Sequence, residues 1–447
     1  MPHLKITAIF LFLSISIAYG QDNDLHQQLH QMAKGYQSVF GFSGNIKVVQ
    51  GGKEIFEQSY GLANRSFGIE NTPQTRFSIN SISKTFTATA ILMLARDQKI
   101  DLQVPIKAYL PELNAPWKDT VTVHHLLSHT SGLPRESGIQ ACDELSFMEQ
   151  LNLVESKSLL FSPGKRFEYS NCGLILLGAI LEKVSNRPYG DFIQQEIIEP
   201  LGLTNTGCYQ GRNVVARQAV PYRFSAKGLE TAQRSKHFGD NAGGGLYSTA
   251  GDLYKYVLGL EAQKLLPETY TALLFQPHVQ SGETDFEGYA WSIKKFGGEK
   301  IHFAAGSGYG TKSVIIRMPD SGNYIGITSN WGNTPILQLL RDLYLTLIGA
   351  EAAPPAENVL ANPKDYATRM GEYKFDQEQL TRHLGMDRAV IRLHAFEGKL
   401  FLNDELLAEK EGTLMLTYTN ELRIQFEGSK MIININGNIM EGQKLQK

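Results

Sequence analysis

Cysteine is scarce in this chain. Three occur among 447 residues, Cys142, Cys172 and Cys208, so at most one internal disulfide can form and one thiol is left over. None sits in a C-x-x-C pair or a Cys/His cluster of metal-ligand spacing, so neither a metal nor another cofactor is expected. An excess of one charge is missing too. Lys and Arg number 43 against 45 Asp and Glu, a net charge of -2, with a pI near 6.6. A chain this balanced offers nucleic acid or a membrane surface no electrostatic footprint. Runs long enough to span a bilayer are also lacking. The N-terminal run Ile6 to Ala18 has thirteen residues, short of the roughly 20 a span needs. Lys5 precedes it and Ala18-Tyr19-Gly20 follows, the pattern of a signal peptide over 1–20 with Gln21 as the mature start. Export to the periplasm or the medium is expected, and an uncleaved anchor is the alternative. No cysteine follows the run, so a lipid anchor is not expected.

The rest of the composition is that of a globular protein, 42% hydrophobic and 20% charged, with length for two or three domains. The pattern predicts a helix over Leu25 to Phe40 and a hairpin, Gly44 to Val49 with Ile55 to Tyr60, around Gly51-Gly52. A helix over Ser81 to Arg96 follows, and one over Asn171 to Ser185 that is apolar nearly all round and so buried. Thr249 to Leu260 reads as a capped helix, Tyr289 to Asn330 as strands broken by glycine turns, and Leu337 to Ile348 as a closing helix. These imply an α+β fold: an antiparallel sheet flanked by helices, plus an α-rich lobe, over 21–348. Residues 349–363 (GAEAAPPAENVLANP) read as a linker. Beyond it, five alternating stretches between Val390 and Ile435 predict a small all-β domain over 364–447.

Three Ser-x-x-Lys spacings occur: Ser81/Lys84, Ser162/Lys165 and Ser292/Lys295. At roughly 6–7% abundance for each residue, about two are expected by chance, so context must separate them. Ser162-Pro163-Gly164-Lys165 is a turn, and around Ser292 the chain alternates like a strand, which puts Ser292 and Lys295 on opposite faces. Only Ser81 opens a helix, where a hydroxyl and an amine three residues apart share one face. A serine is a poor nucleophile unless a base takes its proton, and a desolvated lysine can be that base. Tyr169-Ser170-Asn171 lies just before the buried helix. A tyrosine near a lysine can relay protons, and an asparagine amide can bind a carbonyl and the lysine together. Cys172, beside it, reads as a small packed residue of that helix.

SISKTFTA, VHHLLSHTSGLP, FSPGKRFEYSNCG and GGGLYSTAGDL, in this order, resemble the serine hydrolases of the β-lactamase and penicillin-binding-protein superfamily. The branch is the one holding class C-like β-lactamases, esterases, D-aminopeptidases and D-Ala-D-Ala carboxypeptidases. The resemblance covers about Leu25 to Ile348. It implies a β-lactamase/transpeptidase-like fold, with Ser81 as the acylated nucleophile, Lys84 as its base, Tyr169 as proton relay and Asn171 as a ligand of substrate and lysine. It also implies that HLLSHTSGLP, with His125 and His129, is scaffold packed away from the nucleophile. In the family's pocket-lining strand a Lys-Thr-Gly or His-x-Gly faces the serine. Here Gly306 takes the glycine position, which puts Ala304 where the cation is expected, while His302 lies one step back on the same face. The backbone N–H groups of Ser81 and Ser307 are expected to form the oxyanion hole, which needs no side chain at Ala304.

The implied function is an exported serine hydrolase that forms an acyl-enzyme at Ser81 with an amide or ester: a D-amino-acid peptide, a peptidoglycan stem or a simple ester. A β-lactamase is the alternative within the enzyme class. A non-catalytic penicillin-binding-like protein, holding cell-wall fragments or a partner, is the alternative outside it. The expected partner is a small molecule or peptide.

Overall fold

The computed structural model describes residues 24–138, 147–209, 213–225, 227–232, 242–356, 359–384, 386, 388–417, 419–435 and 437–446. The signal-peptide reading and Cys142 therefore lie outside the described residues. An eight-stranded antiparallel sheet organises the chain. Its strands are β1 (Gly44–Gln50), β2 (Lys53–Tyr60), β3 (Val279–Gln280), β4 (Phe286–Glu287), β5 (Ser292–Phe296), β6 (Glu299–Gly308), β7 (Thr311–Met318) and β8 (Asn323–Ser329). They lie side by side as β3-β4-β5-β6-β7-β8-β1-β2. The first and last strands of the sheet in chain order are thus neighbours, with only β2 beyond them on that side, and β1 pairs with β8 from Gly44↔Ser329 to Val49↔Tyr324.

Alternation along β7 shows how the sheet serves two cores. Val314 and Ile316 pack with helix α1 (24–40) and helix α5 (Ile336–Leu347), while Ile315 between them joins the core of the helical lobe, as a period of two requires. A buried hydrogen bond from Tyr36 to Asp342, 2.6 Å, ties α1 to α5. On the opposite face lie α2 (Ser83–Arg96), α3 (Asn171–Ser185) and α4 (Ala250–Glu261), opened by a Thr249 cap that accepts from the Asp252 N–H.

Every residue of α2 from Ser83 to Ala95 is buried. A helix enclosed on all sides must satisfy its hydroxyls internally, and its threonines do so. Thr87 Oγ1 meets the Tyr189 hydroxyl at 2.7 Å and Thr89 Oγ1 that of Tyr256 at 2.8 Å. Phe86 stacks on Tyr256 with ring centres 4.0 Å apart, fixing α2 against α4. The element that carries Lys84 is therefore rigid on every side.

The C-terminal strands form a closed barrel of eight, β9 (Gly371–Lys374), β10 (Val390–Phe396), β11 (Lys399–Leu402), β12 (Glu405–Lys410), β13 (Thr413–Leu416), β14 (Thr419–Glu427), β15 (Lys430–Ile435) and β16 (Asn438–Lys444). Closure, through β9 pairing with β16, leaves the barrel no free sheet edge. A short helix, α6 (Gln377–Leu384), buries Leu380 in its core. Sequence reading finds five of these strands and neither the closure nor α6. The barrel touches the rest of the molecule where Phe224 stacks on Phe401, 5.8 Å between ring centres, and where Thr417 Oγ1 donates to the Asn333 carbonyl. No helix among the described residues is long and apolar enough to cross a membrane.

Candidate active site

Ser81 sits not in the first turn of α2 but on a 3-10 turn just before it, Asn80–Ile82. Asn80 takes a left-handed φ of 47°, a conformation asparagine tolerates better than most residues, and its amide donates to Thr311 Oγ1 at 3.0 Å. The three-residue spacing survives the 3-10 turn, and Lys84 Nζ donates to Ser81 Oγ at 3.1 Å. A second Nζ proton goes to the carbonyl of Gly243 at 2.6 Å, in the Gly243–Gly245 segment. The Tyr169 hydroxyl donates to Ser81 Oγ from another direction at 2.9 Å. Ser81, Lys84 and Tyr169 thus converge on one oxygen. Ser162 and Lys165 stand apart in an exposed turn.

Tyr169 is placed by the residue after it. Ser170 caps α3, accepting from the Gly173 N–H and donating to the Pro134 carbonyl at 2.8 Å. The ring stacks on His129, 4.7 Å between centres and 30° between planes, with the Arg135 guanidinium 4.8 Å from its centre. His129 Nδ1 accepts from the Ser170 N–H at 3.1 Å, so the neutral ring carries its proton on Nε2. Burial, followed by Lys84 and Arg135, holds this imidazole down at about 3. His129 lines the same cavity as Ser81. The expectation that the HLLSHTSGLP segment packs away from the nucleophile is corrected at this residue. His125 follows the scaffold reading: it completes a capping box with Thr122 at the start of helix Val123–Leu127.

Asn171 also departs from expectation. Its amide donates to Glu136 at 2.7 Å instead of meeting Lys84, because the first residue of α3 faces the loop that carries Arg135 and Glu136. Gly306 has a steric reason to be glycine: a Cβ there would lie 2.0 Å from the Ile79 carbonyl oxygen, and one at Gly308 would lie 2.5 Å from the Asn80 side chain. Strand β6 can therefore run hard against the 3-10 turn of Ser81. Its pairing with β5 stops at Ser292↔Phe303, so from Ala304 to Gly308 that edge of the strand faces the nucleophile's turn instead of another strand. Ser307 is exposed, and its hydroxyl accepts from Lys312 Nζ at 2.5 Å. Both residues line a neighbouring cleft of about 360 Å3 with Arg223, Asp404 and Glu405, the last two from the barrel.

Ser81 opens into a cavity of about 160 Å3 whose walls are Lys84, His129, Phe167, Tyr169, Glu287, Ala290, Ser292, Phe303, Ala304 and Ala305. Ala304 is on the wall, and His302 is not. His302 is 3% exposed, stacked on Phe275 at 4.5 Å, and neither ring nitrogen has a hydrogen-bond partner among the described residues. Burial, then Arg317 and Lys300, hold it at about 3 against an ordinary 6.5. The unfolded chain therefore takes up the proton first as pH falls. Stability present above pH 6.5 is lost progressively toward pH 3. At pH 5 this amounts to about 2 kcal/mol, at 1.36 kcal/mol per unit. His302→Phe should keep the stack and melt with a flatter pH dependence than wild type between pH 7.5 and 5. Parallel Tm curves for the two proteins would contradict this.

Cys172 and Cys208 are free thiols, and burial pushes each up to about 12, which makes them unreactive. Among the described residues no cluster of three His, Cys, Asp or Glu side chains is placed to hold a metal ion.

Residues 41–350 match the Beta-lactamase family. PbpX from Bacillus subtilis (strain 168) is 29% identical over 255 residues, 56% of this chain and 63% of its own length, so the match spans less than two thirds of that relative. The crystal structure of a penicillin binding protein from Bacillus halodurans superposes with a TM-score of 0.61 and 30% identity, covering 68% of this chain and 94% of that one. The octameric penicillin-binding protein homologue from Pyrococcus abyssi reaches a TM-score of 0.67 at 22% identity and covers 93% of this chain and 99% of its own, a likeness of fold that takes in nearly the whole molecule. With a match over more than two thirds of its length and the fold to accompany it, the chain belongs to the Beta-lactamase family.

Proposed function

We propose that the protein is an exported serine hydrolase that cleaves an amide or ester through an acyl-enzyme at Ser81. The observation that carries this is the convergence of Lys84 Nζ and the Tyr169 hydroxyl on Ser81 Oγ, at 3.1 and 2.9 Å, inside a small cavity. A nucleophile with two hydrogen-bonding partners in line is the arrangement acyl transfer needs. Ser81 Oγ attacks the carbonyl carbon while its proton passes to Lys84. Tyr169 relays a proton to the leaving nitrogen or oxygen as that bond breaks, and a water then hydrolyses the Ser81 ester by the reverse relay. The N–H groups of Ser81 and Ser307 stabilise the oxyanion, Gly306 letting the strand approach closely enough for this.

The substrate follows from Ala304. A lysine or histidine there would give a charge-assisted bond to a substrate carboxylate, about 1.5–3 kcal/mol. Alanine gives none, and neither His302, buried in its stack, nor Lys312, held on Ser307, lines the cavity. A peptidase or esterase is therefore favoured over a β-lactamase. Expected is a kcat/KM for p-nitrophenyl butyrate at least ~10-fold above that for nitrocefin, with Ala304→His narrowing the gap. Efficient nitrocefin turnover by the wild type, unchanged in Ala304→His, would overturn the reading of this pocket.

A further inference from the structure

The cavity that lacks a cation at Ala304 holds a carboxylate. Glu287 ends the short strand β4 and pairs with Ser292 of β5, whose hydroxyl donates to Glu287 Oε2 at 2.8 Å. Both residues line the wall that Ser81 shares. No lysine or arginine among the described residues forms an ion pair with Glu287. The nearby Lys294 is turned to Asp285, 2.7 Å away. The cavity neighbours Ala290, Phe303, Ala304 and Ala305 have no side-chain donors. A carboxylate accepts at about four lone-pair sites, so the serine hydroxyls leave acceptor capacity unused. Burial raises the Glu287 carboxyl above its ordinary range, against the pull of hydrogen bonds from Ser281 and Ser292 and of Lys294. Glu287 is half-buried and has no direct ion-pair partner among the described residues, and Lys84 on the same wall is held by Ser81 and Gly243; a cation entering the cavity relieves the cost of that desolvated carboxylate.

We propose that Glu287 is a specificity-determining residue that receives a positively charged group of the substrate, so that the preferred substrate carries an ammonium close to its scissile carbonyl, as an aminoacyl amide or ester with a free amine does. The proposal rests on the hydrolase reading above. At about 160 Å3 the cavity falls below the ~300–1,000 Å3 that encloses a whole ligand. It therefore takes one arm of the substrate while the leaving group extends outward.

Three achiral substrates with one leaving group separate the charges: glycine p-nitroanilide (ammonium), N-acetylglycine p-nitroanilide (neutral) and N-succinylglycine p-nitroanilide (anionic). Wild type is expected to rank them in that order by kcat/KM, the first exceeding the third by at least ~10-fold, the scale of one charge-assisted contact. Glu287→Gln should lower the ratio of kcat/KM for the ammonium substrate to that for the acetyl substrate at least ~10-fold, and Glu287→Asp should keep the wild-type order. Ala304→Lys, which supplies Glu287 with an internal partner, should remove the ammonium preference, and tests the idea even where the glutamine variant fails to fold. Preference for the succinyl substrate by wild type, or an unchanged ranking in Glu287→Gln or Ala304→Lys, overturns the proposal alone. Failure of wild type to cleave all three substrates and to react with a fluorophosphonate overturns the hydrolase reading, and the proposal falls with it.

Discussion

Ser81→Ala is expected to lower kcat by roughly 10⁴–10⁶-fold, the range found when the nucleophile of a serine hydrolase is removed. Its oxygen is where Lys84 and Tyr169 converge, and nothing else on the cavity wall replaces it. Ser292 lines the same cavity, but its hydroxyl is committed to Glu287. Ser162, in its exposed turn, is the control: Ser162→Ala should match wild type in kcat and KM. Because the Ser81 side chain adds little buried apolar surface, Ser81→Ala should melt close to wild type. Its loss of turnover would then report chemistry and not folding. Substantial turnover by Ser81→Ala, or a collapse in Ser162→Ala, would move the nucleophile elsewhere.

The next largest effect is expected at Lys84. General-base catalysis contributes typically 10²–10⁴-fold, and Lys84→Met, which keeps the length and apolar stem, should lose about that much. It should also lose stability, about 1–3 kcal/mol, because the charge-assisted hydrogen bond from Lys84 to the buried Gly243 carbonyl is removed. Lys84→Arg separates the two roles. A guanidinium can still donate to Gly243 but cannot give up its proton to act as a base. Lys84→Arg should therefore regain part of the Tm and none of the rate. Full activity in Lys84→Arg would remove the base from this account.

The residues that sequence reading placed at the site are those whose geometry is local. A three-residue spacing puts Ser81 and Lys84 one turn apart whatever the tertiary fold does, and the 3-10 turn that replaced the expected first turn of α2 preserved it. Tyr169 was legible from its position before the Ser170 cap of α3. Asn171 was not: as the first residue of α3 it turns its amide to Glu136, a loop contact that no local pattern marks. His129 carried a signal, the segment HTSG, but the packing of its ring on Tyr169 depends on how loop 128–138 folds over the site. Glu287 carried none, since a two-residue strand is below the length at which periodicity can be read.

The barrel shows the same divide. The alternating stretches of β10, β11, β13, β14 and β15 were visible. Strand β12, Glu405–Lys410, reads ELLAEK, a string of good helix formers that tertiary pairing overrides. The four residues of β9 close the ring only by meeting β16, some 70 positions later in the chain, and no local pattern announces such a pairing.

The most direct test is to treat the protein with a fluorescent fluorophosphonate and map the modified peptide by mass spectrometry. The expected result is a single adduct on Ser81, absent from Ser81→Ala and slowed in Lys84→Met. An adduct on any other serine, or labelling of Ser81→Ala at the wild-type rate, would contradict the assignment of Ser81 as the nucleophile.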